Sequence, residues 1–124
     1  MIGYTTLGTN DIERAARFYD ALLAELGGKR AMENESFIAW GGGEPGGAML
    51  CVIKPHDKKP ATVGNGVMAA LAASSRAQVD AIHRKALELG AKDEGAPGPR
   101  GAGSIYAAYF RDMDGNKLNA FFLG

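Results

Sequence analysis

One cysteine stands in 124 residues, so no internal disulfide can staple the chain. Such cysteine usage fits a reducing compartment. Net charge is also missing. The 14 Lys and Arg balance 14 Asp and Glu, which removes the electrostatic footprint of a dedicated nucleic-acid binder. No apolar run approaches the ~20 residues of a membrane span, so neither nucleic acid nor membrane is an expected partner. Residues 1–11 lack the charged leader and apolar stretch of a signal peptide. The expectation is a cytoplasmic protein. Glycine, by contrast, is abundant. Its 18 residues are roughly twice the usual share, which implies many turns or close backbone approaches. A hydrophobic fraction of 46% is ordinary for a globular chain. The length suits one domain with its own core.

Two helices are well punctuated. Asn10 or Asp11 can cap the first, because a short side-chain oxygen accepts an orphan backbone N–H there. Ile12, Ala15, Ala16, Phe18, Tyr19, Leu22, Leu23 and Leu26 then form one apolar stripe, and Gly27-Gly28 stops it. In the second, Ser75 followed by Gln78 reads as a capping box. Val79, Ile82, Ala86, Leu87 and Leu89 form the stripe, and Leu89-Gly90 closes it as Leu26-Gly27 closes the first. An extended segment precedes each helix, at 2–9 and 66–73. Strand-like pieces follow at 37–40, 48–53, 104–111 and 117–123, with a further strand possible in each half. Asp112-Met113-Asp114-Gly115-Asn116 has hairpin composition.

The chain thus states one β-α-β-β pattern twice, which implies an α+β domain with pseudo-twofold symmetry and a cavity between its sheets. The halves are module one, about 1–54, and module two, about 65–124, with a linker at 55–64. This order, the segments Gly64-Asn65-Gly66-Val67 and Ser75-Arg76-Ala77-Gln78-Val79-Asp80-Ala81, and above all Tyr106-Ala107-Ala108 with the Asp-x-Asp-Gly-Asn turn, resemble the vicinal oxygen chelate superfamily. That is the glyoxalase I, bleomycin-resistance and extradiol-dioxygenase group. The resemblance spans almost the whole chain. It implies paired βαβββ modules, mixed sheets curled around a shared cavity, and a homodimer.

Metal-dependent members hold a divalent ion with His and Glu on the first and last strands of each module. Those positions fall here on Tyr4, Met68, Asn119 and, more loosely, Met49 or Cys51. Borderline and hard divalent ions want imidazole and carboxylate, so the family metal is not expected. The two histidines lie elsewhere, His56 in the linker and His83 as a partly exposed residue on the second helix.

Strand alternation, anchored on those positions, turns Tyr4, Thr6, Met68, Ala70, Asn119 and Phe121 towards the cavity. It turns Leu7, Val67, Leu71, Leu118, Ala120 and Phe122 towards the helices. The first set mixes polar and apolar groups as a pocket for an organic ligand does. Trp40 or Tyr106 is expected to stack on that ligand. Arg100, in a glycine-rich stretch (95–103) read as a flexible loop at the cavity mouth, can meet an anionic group. The ligand-binding set is therefore Tyr4, Thr6, Trp40, Met68, Arg100, Tyr106, Asn119 and Phe121. Cys51 reads as a small buried hydrophobe. Asp112, Asp114 and Asn116 open like a calcium loop, but Gly115 and Leu123 occupy the wrong positions for one. Three readings of function follow. The first is a metal-free small-molecule binder of the bleomycin-resistance type. The second is a metal-dependent lyase, isomerase or dioxygenase. The third is a metal-free enzyme using Tyr4 as acid or base.

Overall fold

Asp11 is extended at φ −151°, and its carboxylate accepts the Arg14 amide, which starts α1 (Ile12–Ala24). The computed structural model describes residues 1–43, 45–101 and 103–124. Two units form, Met1–Val63 and Gly64–Gly124.

In the first unit, β1 (Tyr4–Gly8), α1, β2 (Lys29–Glu33), β3 (Phe37–Gly41) and β4 (Met49–Ile53) follow in turn. The sheet order is β1-β4-β3-β2. β1 runs parallel to β4, and the other pairs are antiparallel. Phe18, Tyr19 and Leu22 of the helix stripe are fully buried, as are Trp40 and Val52 on the sheet. Each large side chain so buried contributes about 1.5–3 kcal/mol.

The second unit repeats the scheme with β5 (Ala69–Ala72), α2 (Arg76–Glu88), β6 (Lys92–Arg100), β7 (Ile105–Arg111) and β8 (Lys117–Leu123). Its order is β5-β8-β7-β6. Val79, Ile82 and Ala86 of α2 are fully buried, with Ala108, Phe110, Leu118 and Ala120 of the sheet. The fold is α+β, with two βαβββ units.

The helix ends repeat as closely as the strands. Gly27 and Gly90 both take positive φ, +75° and +106°. The next amides, of Gly28 and Ala91, return to the carbonyls of Leu23 and Ala86 at 2.8 and 2.9 Å. Glycine carries that left-handed turn without steric cost. At the start of α2, Ser75 Oγ accepts the Gln78 amide at 3.0 Å. The Gln78 side chain reaches past the cap to accept from the Ser74 amide and hydroxyl. The capping box is thus stretched by one residue.

Residues 54–63 fold back on the first unit. Asn10 Oδ1 accepts the Ala61 amide at 2.6 Å, and Asn10 Nδ2 donates to the Ala61 carbonyl at 3.2 Å.

Two expectations are corrected. Residues 95–100 are not a flexible loop; they form the latter part of β6, paired with β7 from Gly95↔Tyr109 to Arg100↔Ile105. Register shifts at Asp93/Gly95 and Gly95/Gly98 accommodate the glycines as bulges, which disguises the strand in sequence. Of the remainder of the glycine-rich stretch, Ala102 lies outside the described residues. His83 is not partly exposed either. It is 6% exposed, with Nε2 3.0 Å from Asp93 Oδ1.

Candidate functional site

Alternation along β1, β3 and β4 sorts the first sheet into two faces. Leu7, Ile38, Trp40, Leu50 and Val52 are the buried set beneath α1. Tyr4, Thr6, Met32, Phe37, Ala39, Met49, Cys51 and Ile53 line a concavity of about 320 Å³ on the helix-free face. Its wall is apolar except for a phenol, a hydroxyl and a thiol. Two larger concavities, about 490 and 610 Å³, lie elsewhere on this unit among loop lysines and helix-surface charges, and their linings are more polar, with Lys54, Lys58 and Lys59 in one and Arg17, Arg30 and Glu33 in the other. Cys51 is almost completely buried, and desolvation holds its thiol above the usual range.

Tyr4 and Thr6 therefore lie together, as expected. Trp40 does not join them. It sits on the helix side of β3, with its ring 5.7 Å from that of Tyr19. Its indole N–H donates to Asp20 at 2.8 Å. The same carboxylate takes the Arg30 fork, Nε to Oδ1 at 2.8 Å and Nη2 to Oδ2 at 2.6 Å. The guanidinium holds the Asp20 carboxyl below its ordinary value, against burial.

Tyr106 is corrected in the same way. Its hydroxyl donates to Asp80 of α2 at 2.6 Å, and the Arg76 guanidinium lies 5.0 Å from its ring centre. Bonding to Asp80 pushes the phenol above its usual range. Each unit thus ties a strand aromatic to a helix carboxylate. Neither ring is available to stack on a ligand at the helix-free face.

On β8 the expected register is found. Leu118 and Ala120 are fully buried on the helix side. Asn119 and Phe121 alternate with them, paired across to Tyr109 and Ala107 of β7 and to Ala70 and Ala72 of β5. Asn119 is 6% exposed, and its Oδ1 has no hydrogen-bond partner among the described residues. Met68, one residue before β5, is exposed. Arg100 ends β6 with its guanidinium 5.5 Å from the Tyr109 ring centre. Tyr109, unlike Tyr106, shares a face with Asn119. The expected set contained neither Tyr109 nor Met32, Phe37, Ala39 and Ile53, which line the concavity of the first unit. Counting outward from the hairpin, Arg111↔Lys117 then Tyr109↔Asn119, is the signal that finds Tyr109.

The repeat also decides the loosely placed fourth ligand position. Thr6 pairs with Cys51 and Ala70 pairs with Asn119. With Thr6 and Ala70 equivalent, Cys51 is the counterpart of Asn119. The four positions then hold a phenol, a thiol, a thioether and an amide. Among the described residues no group of three or more His, Cys, Asp or Glu is placed to hold an ion. This donor set does not fit a divalent metal of the imidazole–carboxylate kind.

The family model for the Glyoxalase/Bleomycin resistance protein/Dioxygenase superfamily matches residues 1–120. The chain belongs to that superfamily. Among solved structures, a glyoxalase/bleomycin resistance protein from Albidiferax ferrireducens is similar at 36% identity. The match covers 98% of both chains with a TM-score of 0.88. A glyoxalase-related enzyme from Fulvimarina pelagi (20% identity, 98% and 87% coverage, TM-score 0.77) shares the fold. So does a lactoylglutathione lyase from Agrobacterium tumefaciens (21% identity, 98% and 92% coverage, TM-score 0.71). No curated protein matches the chain.

Proposed function

We propose that this chain binds a small organic molecule without the superfamily's divalent ion, on the helix-free face of its first sheet. The observation that carries the reading is the apolar concavity of about 320 Å³ lined by Tyr4, Thr6, Phe37, Ala39 and Cys51. Its size is that of a small-ligand pocket, and its polar groups are few, as orientation of an apolar body requires. Tyr4 and Thr6 supply the hydroxyls; with no imidazole or carboxylate in the lining, the site suits retention of a ligand. The protein works as a homodimer in the cytoplasm. A single buried cysteine that pairs with no other suits that compartment, and among the described residues no helix is long and apolar enough to cross a membrane.

Native mass spectrometry of freshly purified protein tests the reading directly. A retained organic adduct is expected, absent from Thr6→Trp, whose indole fills the concavity from an exposed strand position. After dialysis against Ni, Zn, Mn or Fe, elemental analysis is expected to find well under one ion per chain. A stoichiometric ion lost on Tyr4→Ala or Cys51→Ala replacement would overturn the metal-free reading in favour of a lyase or dioxygenase.

A further inference from the structure

The helix-free face of the second sheet carries chemistry that the concavity of the first does not use. Its rows can be read from the register. Lys92, Arg111 and Lys117 form one cross-strand row, and Gly95, Tyr109, Asn119 and Ala70 the next. Arg111 is spent on Glu94 and on the Gly115 carbonyl. Arg100 and Lys117 are in no ion pair among the described residues. Each lies near the Tyr109 ring, at 5.5 and 5.4 Å from its centre, and Lys117 also acts through space on the Glu94 carboxylate.

Arg100 is fixed in place. Its Nη1 donates to the Pro99 carbonyl at 3.2 Å and its Nη2 to the Ala96 carbonyl at 2.5 Å. It lies flat along β6, where a Cβ on Gly98 would stand 3.1 Å from Nη1 and one on Gly95 3.4 Å from Nη2. The glycines that interrupt β6 therefore make room for the guanidinium. Two carbonyls use two of its five N–H donors and none of its charge. Beside Tyr109, Asn119 keeps a buried amide oxygen without a partner among the described residues. A buried acceptor left unpaired costs about as much as a lost hydrogen bond, so it marks a place where a donor is expected.

We infer that this face is a subsite for a small organic anion carrying an O–H or N–H donor. Arg100 and Lys117 take the anionic group beside the Tyr109 ring, and Asn119 Oδ1 takes the donor. The inference adds a second site chemistry to the small-molecule reading and rests on that reading only for the ligand's size. Arg is the residue suited to a carboxylate or phosphate, with two parallel N–H bonds; Ala70 of the same row, and Ala107 and Phe121 of the next, are apolar.

Mandelate, a carboxylate with one hydroxyl donor, is the probe. Phenylacetate lacks the donor, mandelamide lacks the charge, and phenyl phosphate replaces the carboxylate. Titrations followed by amide NMR shifts are expected to move Tyr109, Asn119 and Arg100 with mandelate. Mandelamide is expected to bind roughly tenfold more weakly, the value of one charge-assisted hydrogen bond. Arg100→Gln should shrink the mandelate–mandelamide difference, and Arg100→Gln with Lys117→Gln should erase it. Asn119→Leu should erase the mandelate–phenylacetate difference, with an unchanged circular dichroism spectrum showing the fold intact. Phenyl phosphate binding above mandelate assigns the anion as a phosphate, and the reverse order as a carboxylate. Equal binding of mandelate and mandelamide, or no shift at these residues with any anion at about 10 mM, overturns the inference. Thr6→Trp separates the two proposals. Loss of the retained adduct there with anion selectivity intact leaves this site standing. An adduct retained by wild type and lost in Thr6→Trp, with no anion selectivity in either, fails this site alone.

Discussion

Asp20 gathers donors from two strands, the Trp40 indole of β3 and the Arg30 guanidinium of β2. Its folded-state carboxyl is lowered chiefly by Arg30. A lowered carboxyl stabilises the fold fully above its unfolded value of ~3.9 and loses that contribution as pH falls through the folded value. The Asp20 side chain is 41% exposed, so solvent screens the pair and its contribution is about 1 kcal/mol or less. Asp20→Asn keeps an acceptor for Trp40 but removes the charge. Its urea midpoint is expected below wild type at pH 7, with the gap closing as pH drops under ~3.9. A gap unchanged at acid pH would show that the charge is not the reason. Asp20→Ala also strands the buried indole N–H and is expected to cost about 1–3 kcal/mol more. Cys51 tests burial in a second way. A thiol 1% exposed and shifted upward by desolvation should react with a thiol reagent only as fast as the protein opens. Stoichiometric labelling of native protein within seconds would contradict the packing around β4. Trp40 and Tyr106 show why single residues were hard to place from sequence. Aromatics on half-buried strands suit either face. Only the partner, a helix carboxylate in both cases, decides, and Asp20 and Asp80 lie 20 and 26 residues away.

At the scale of elements, what was legible followed from local rules. Both helices, their caps and their glycine stops could be read because capping chemistry acts within four residues. The β7–β8 hairpin could be read because Asp112-Met113-Asp114-Gly115-Asn116 is a turn by composition. The further strand of each half was expected but could not be placed; it is β2 in one unit and β6 in the other. β2 is exposed along its length and so has no apolar alternation. β6 holds two glycines, two prolines and two register shifts, a composition that reads as a loop. Both are edge strands in which charge, proline or bulges guard against further pairing. Register on β8 was legible because the turn fixes it. There, Asp112 Oδ1 accepts the amides of Asp114 and Asn116 at 3.0 and 2.9 Å, and Oδ2 accepts Asn116 Nδ2 at 3.0 Å. Gly115 takes φ +89° to close the turn. Asp112→Ala leaves these donors unpaired in a buried corner and is expected to cost about 2–3 kcal/mol, read as a lower denaturant midpoint at unchanged slope. Asp112→Asn, which keeps an acceptor, should recover part of the loss. Equal stability of Asp112→Ala and wild type would mean that the strand pairing alone sets the register of Asn119.

At the scale of the whole molecule, the same topology is used twice, but the two helix-free faces have diverged. The first is apolar around Cys51, and the second is cationic around Tyr109. The edges have diverged from one another as well. β2 and β6, on one side of each sheet order, carry charges, prolines or bulges. β1 and β5, on the other side, carry none; their sequences are Tyr-Thr-Thr-Leu-Gly and Ala-Ala-Leu-Ala. Edge protection is therefore confined to one side of each sheet. Large apolar side chains stay exposed on and beside the unguarded strands, with Tyr4 at 63%, Val67 at 62% and Met68 at 41%. Scattered single residues of this kind are ordinary, but clusters beside open strand edges mark association surfaces. A second copy of the chain is the partner that the homodimer proposal names. A self-complementary patch is used twice in such a pair, so each substitution in it counts twice. Light scattering at micromolar concentration is expected to give twice the 13.0 kDa chain mass. Val67→Lys should shift the population towards monomer, because two buried, unpaired ammonium groups oppose the interface. Dimer and monomer are linked through mass action, so the thermal midpoint of wild type should rise with protein concentration while that of Val67→Lys should not. A wild-type mass of one chain at every concentration, with a concentration-independent midpoint, would assign the exposed apolar groups around β1 and β5 to something other than self-association.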